Sequence, residues 1–186
     1  MKRKSIAKKV ITISIVLLFA AMSASTVLAK GPPDDKGQPG PTIVDVVINA
    51  NASGPFAGQF DTLIAAILSA DPLVAATLDG NGQFTVFGPT DEAFAALGLD
   101  KDNIGTALSQ EALTDILLYH VRRGRLLAVA VLGHDRLKML SGGFLFQEGG
   151  VLTDNLGREA NIIVTDIAAG NGIIHVIDQV VLPFEP

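Results

Sequence analysis

The chain has 186 residues, of which 48% are hydrophobic and 18% charged, and it contains no cysteine. Nineteen acids against fourteen bases give a formal net charge of −5, a field that disfavours non-specific contact with nucleic acid or an anionic membrane. Disulfides, thiol nucleophiles and a lipid-modified cysteine are excluded outright, and the length suits one globular domain plus accessory segments.

Residues 1–29 read as a signal peptide. "MKRKSIAKK" carries five bases and no acid. An apolar core follows, short for a membrane-spanning helix, which needs about 20 residues. Val27 and Ala29 then offer a cleavage site. Left uncleaved, the same segment would act as an N-terminal anchor. Beyond it, nineteen acids face nine bases. "KGPPDDKGQPGP" (residues 30–41) is a Pro/Gly-rich linker. Residues 42–186 form one domain without internal repeats.

The first half of the domain reads mostly helical. "FDTLIAAILSA" places Leu63, Ile64, Ile67 and Leu68 on one stripe. Asp71 and Pro72 open the next helix as N-cap and first residue. "QFTVFGP" is a short strand stopped by Gly88-Pro89. Thr90 or Asp91 caps a further helix that ends at Gly98, and Ser109 caps "SQEALTDILLYHV". The second half reads as strands: "RLLAVAVL", "RLKMLSG", "GFLFQEG", "GVLTDN", "ANIIVTDIAAG" and "GIIHVIDQVVLP", separated by Gly, Asn and Asp turns. Helices segregated from mostly antiparallel strands predict an α+β fold.

Tyr119, the only tyrosine, stands beside His120. On a helix His120 joins the stripe of Leu113, Ile116 and Leu117 and points inward. Tyr119 lies about 100° away around the helix, so the two cannot form a dyad. Arg122, Arg123, Arg125, Arg136 and Lys138 cluster in sequence on an otherwise acidic domain. Arginines at a helix end favour its dipole; as a group, Arg122, Arg123 and Arg125 form a candidate patch for an anionic polymer. In a strand, His175 and Asp178 fall on opposite faces, which argues against joint catalysis. His134 reads as an exposed turn residue. "DKDNIGTALSQE" has Asp100, Asp102, Gly105 and Glu111 at calcium-loop spacing, but Ile104 offers no oxygen where a ligand is required. Asn51 in "NAS" fits a glycosylation acceptor. No nucleophile elbow, phosphate loop or zinc-protease motif is present. No catalytic residue, metal ligand or cofactor is expected.

Three blocks in order resemble the fasciclin domain: "FTVFGPTDEAFAAL" (residues 84–97), "LLYHVRRGRL" (117–126) and "NGIIHVIDQVVLP" (171–183). The resemblance covers nearly all of residues 42–186. It implies a wedge of two mainly antiparallel β-sheets with a group of helices packed beside it. It also implies a non-enzymatic adhesion or binding module, secreted or in the cell envelope, with a cell-surface, matrix or polysaccharide partner. In animal members of the family the Tyr-His block is linked to receptor recognition, which maps here to Tyr119, His120, Leu117, Leu118 and Val121. Many relatives carry several such domains, whereas one is seen here. Two other readings stay open. A small apolar ligand held between helices and wedge requires a pocket of several hundred Å³. An envelope enzyme requires a nucleophile or metal within reach of His120 or His175.

Overall fold

A computed structural model describes residues 40–185. The expected signal peptide, residues 1–29, and most of the linker, residues 30–39, lie outside the described residues.

Helices come first, and four of them are started by an N-cap side chain that satisfies free N–H groups. Thr42 opens α1 (Ile43–Ala52) with a reciprocal capping box: its Oγ1 accepts from Asp45 N, and Asp45 Oδ2 accepts from Thr42 N. Thr-x-x-Asp ahead of an apolar run is a sequence signal for a helix start. In α2 (Asp61–Ser69), Leu63 and Ile67 are buried as the stripe predicts, but Leu68 is 78% exposed. Asp71 caps α3 (Pro72–Leu78), accepting from Leu73 N at 2.8 Å. After β1 (Phe84–Pro89), Thr90 caps α4 (Asp91–Ala95). The supposed calcium loop contains a short helix, α5 (Ile104–Ala107), and Asp100 Oδ1 is taken up by the N–H groups of Asp102 and Asn103 at 2.9 Å each. Ser109 caps α6 (Gln110–Tyr119) as expected, with His120 at its C-cap, and β2 (Val121–Arg123) follows at once.

"RLLAVAVL" is not a strand. Residues Ala128–Leu132 form α7. An unbroken apolar run does not distinguish helix from strand, and the alanines favour helix. The starting N–H of Ala128 donates to Asp166 Oδ1, 38 residues away (2.8 Å). The remaining strands are β3 (Arg136–Lys138), β4 (Phe144–Glu148), β5 (Val151–Thr153), β6 (Glu159–Ala169) and β7 (Gly172–Ile177).

The expectation of two separate, mainly antiparallel sheets is wrong. The strands form one seven-stranded mixed sheet in the order β2-β1-β7-β6-β5-β4-β3, with β1 and β7 parallel. The continuity comes from β6. Its first three residues pair with β5, and Ile162, Val164 and residues 167–169 pair with β7, so no break separates the two halves. Register shifts at Ile162/Val164 and Val164/Ile167, together with the positive φ of Asp166 (62°), bend the strand between them. At the far end Leu140 N donates to Val121 O at 2.8 Å. That contact brings the two edges together and nearly closes the sheet into a barrel.

The central strands separate two apolar cores. Val86, Ile174 and Val176 face the helices, packing with Leu63, Ile116, Leu117 and Leu182. Phe87 and Ile177 face the barrel interior, with Tyr119, Leu137, Leu145, Leu152 and Val181. Alternation along one strand thus serves both cores, and all six residues of β1 and of β7 are buried. At Gly172 a Cβ would come within 2.4 Å of Phe84 O and 2.6 Å of Ile43 Cδ1, so only glycine allows β1 and α1 this close.

Candidate functional site

The helix α6 runs out where the two cores meet, and this places Tyr119 and His120 in different surroundings. His120 lies inward beside Ile116 and Leu117, as the stripe predicts, and is 2% exposed. Its Nδ1 bonds Ile116 O at 2.8 Å and its Nε2 accepts from Val181 N at 3.2 Å. A carbonyl on one nitrogen and an N–H on the other fix the neutral, Nδ1-protonated ring. Burial drives its pKa down to about 4. Tyr119 is completely buried in the barrel interior. Its hydroxyl donates to Phe144 O at 2.6 Å and accepts from Asn155 N at 3.2 Å. Burial pushes its pKa up to about 12.

A third member of this cluster was missed in the sequence. Asp154 is buried, and its carboxylate accepts from Leu156 N, Arg158 N and Leu182 N and from the Arg158 guanidinium at 2.7 and 2.9 Å. Burial alone would raise this carboxyl; the bonds from Leu182 and Arg158 outweigh it and hold the group below the usual range. Val181 and Leu182 are therefore held by consecutive N–H groups, one on His120 and one on Asp154. Tyr119, His120, Asp154 and Arg158 tie the end of α6, the start of β4, the loop after β5 and the tail after β7 into one unit. The only hint in the sequence was Asp-x-x-x-Arg across a turn, which is common.

Asn171 is a second residue the sequence undersold, having read as a turn former. It is fully buried. Its Oδ1 accepts from Ile43 N at 2.7 Å, and its Nδ2 donates to Leu78 O and Gly80 O. It joins the start of α1, the end of α3 and the start of β7.

Of the other expected binding residues, Leu117 and Val121 are buried and Leu118 is half-buried. The arginines divide. Arg122 is paired with Thr85 and Arg123 with Phe84, so their side chains leave opposite faces of the strand. After Gly124, whose φ is +92°, Arg125 bonds Gln83 Oε1 at 3.3 Å and Gly170 O at 3.4 Å. Arg136 lies over the Phe144 ring at 5.0 Å. The described ion pairs are Lys101–Asp102 and Arg158–Asp154; Arg122, Arg123 and Arg125 belong to neither.

His175 stacks on Phe87 and is completely buried. Its Nε2 bonds Leu126 O at 3.0 Å, its Nδ1 accepts from Asp166 N at 3.3 Å, and burial lowers its pKa. Asp178 instead accepts from Asn161 N and Nδ2, so the His-x-x-Asp pair is split as expected. His134 is half-buried, with Nδ1 on Ala130 O. The sequon nitrogen is engaged: Asn51 Nδ2 donates to Asp61 Oδ1 at 2.7 Å, and its Oδ1 accepts from Phe60 N at 2.8 Å. Two apolar cavities beside His120 have volumes of about 10 and 20 Å³, room for a water molecule at most. The wider depression among Asn51, Asp61, Ile64, Leu68 and Lys101, about 400 Å³, is open to solvent.

Comparison with known proteins places this architecture. A family model described as Fasciclin domain matches residues 58–183, a span that contains all three sequence blocks. Protein sll1483 of Synechocystis sp. is 40% identical over 126 residues, covering 67% of each chain. Uncharacterized protein sll1735 of the same organism is 33% identical over 145 residues, covering 76% of this chain and 98% of the relative. A solved FAS1 domain pair from the insect cell adhesion molecule Fasciclin I shares the fold, with a TM-score of 0.53 at 23% identity, over 67% of this chain and 45% of that one.

Proposed function

The chain belongs to the fasciclin domain family and is a non-enzymatic module of the adhesion and binding type; we propose that it works outside the cytoplasm, in the cell envelope or secreted, recognising a surface protein, a matrix component or a polysaccharide. The observation that carries this reading is the family match across residues 58–183. The layout of residues 1–41 supports export. The solved domain pair with the same fold comes from a cell adhesion molecule.

The buried hub contributes by fixing the surface above it. Tyr119 and His120 spend their polar atoms on backbone partners, and with Leu117 and Val121 they set the shape around half-buried Leu118. Of the three arginines, exposed Arg123 and Arg125 supply the charge that an anionic polymer would meet, with Arg122 on the opposite face of β2. The narrow cavities beside His120 weigh against a small apolar ligand held inside.

The test is retention of the purified full chain on immobilised polysaccharides, matrix proteins and cell-envelope fractions. Saturable retention on at least one class is expected. Absence of retention on all of them would overturn the proposal.

A further inference from the structure

No acid lies between Asp115 and Asp135, the longest such interval in residues 42–186, and three arginines lie within it. Its second half forms α7. Leu127, Val129 and Leu132 are 51%, 76% and 54% exposed, while Val131 is fully buried in the barrel interior. The helix is tied to β6 at its start, where Ala128 N donates to Asp166 Oδ1, and closes on itself at its end, where His134 N donates to Val131 O at 3.1 Å. Single exposed leucines need no explanation. Three large apolar side chains within six residues, held out on a pinned turn, form a concentrated apolar tip.

Arginines stand beside this tip on an otherwise acidic domain, with Asp166 at the start of α7 and exposed Asp135 beyond its end. Arg123 and Arg125 are exposed and form no ion pair among the described residues. Arg125 bonds Gly170 O, and Gly170 N donates to Pro41 O at 2.6 Å. The chain that follows the apolar run and the linker therefore joins the domain next to Arg125.

We propose that this corner, α7 with Arg123 and Arg125, docks on an anionic lipid surface. Leu127, Val129 and Leu132 enter the headgroup layer, and the guanidinium groups pair with lipid phosphates. No single described helix is long and apolar enough to cross a bilayer. The acidic remainder of the domain repels such a surface. At physiological ionic strength that repulsion is screened over about 8 Å, whereas the arginines act at contact distance. Attachment through residues 1–29 would raise the local concentration of this corner at the membrane, so a weak contact suffices.

The chain has no cysteine, so Val129→Cys and, separately, Asp102→Cys each give a single labelling site for an environment-sensitive fluorophore. The full chain is reconstituted into vesicles of phosphatidylcholine alone or mixed with phosphatidylglycerol. The expected result with phosphatidylglycerol is a label at position 129 several-fold brighter than the one at 102 and shielded from the neutral quencher acrylamide. Arg123→Glu with Arg125→Glu should abolish the difference without lowering Tm. Should that double variant unfold, the parent labelled chain in the two lipid mixtures decides. Equal quenching of the two labels in the mixed vesicles overturns the proposal. So does shielding that ignores phosphatidylglycerol and grows with protein-to-lipid ratio, which would mark contact with a second copy.

Discussion

Two neighbouring stretches, Leu117–Val121 and Arg123–Leu132, invert the usual placement of side chains. In the first, a tyrosine and a histidine lie inside, bonded through every ring nitrogen and the hydroxyl. In the second, Leu127, Val129 and Leu132 face solvent beside arginines. The cause is position on the sheet. The helix α6 ends over the line where the two cores meet, so its last residues are enclosed from both sides. Helix α7 spans five residues and plugs the barrel with Val131 alone, leaving its other large residues outside. Polarity along the chain did not decide which stretch was buried; the location of each helix end did.

The sharpest test of this contrast is Asp154→Ala. It removes the acceptor for Leu182 N and the partner of Arg158, and should cost about 3 kcal/mol by urea denaturation. His120→Ala should cost a similar amount, about 3 kcal/mol, from the cavity and the stranded Ile116 and Val181 groups. It carries a pH signature as well. The unfolded imidazole takes up a proton near pH 6.5, and the folded one only near pH 4. Stability therefore falls as pH is lowered through that window, by up to about 3 kcal/mol, and is fully present above it. In the His120→Ala chain this slope should shrink to what His175, shifted in the same direction, contributes. Tyr119→Phe keeps the ring and loses the hydroxyl bridge, and should lower stability by about 1.5 kcal/mol. Val129→Ser, on the exposed side of the contrast, should change it by less than about 0.5 kcal/mol. If Val129→Ser cost as much as Tyr119→Phe, the division between buried hub and open corner would collapse.

Much of the helical half was legible because its signals are local. Asp71, Thr90 and Ser109 cap where they were expected, and the His120 stripe points inward. The sheet was less legible because its pairing is long-range. "ANIIVTDIAAG" read as one more short strand, and nothing in it shows that its two ends serve different partners. The parallel pairing of Phe84–Pro89 with Gly172–Ile177 joins segments more than eighty residues apart, beyond any periodicity window. The carboxylate that takes the first N–H of α7 comes from Asp166, far along the chain in β6. In the candidate site, Tyr119 and His120 stood out by residue type, whereas Asp154 and Asn171 did not. Their importance lies in the backbone groups of other elements that they reach. Adjacent arginines looked like one patch until β2 turned Arg122 and Arg123 to opposite faces.

The place of β7 between β1 and β6 also sets the order of events during biosynthesis. As the chain leaves the ribosome, β1 has no parallel neighbour, and the part of β6 beyond Asn161 no strand partner, until residues 172–177 appear. The acceptors on His120 and Asp154 wait longer still, for Val181 and Leu182. Contacts of such sequence separation form late and slowly. The sheet and the hub around His120 and Asp154 therefore cannot lock shut until almost all of residues 42–182 have been made.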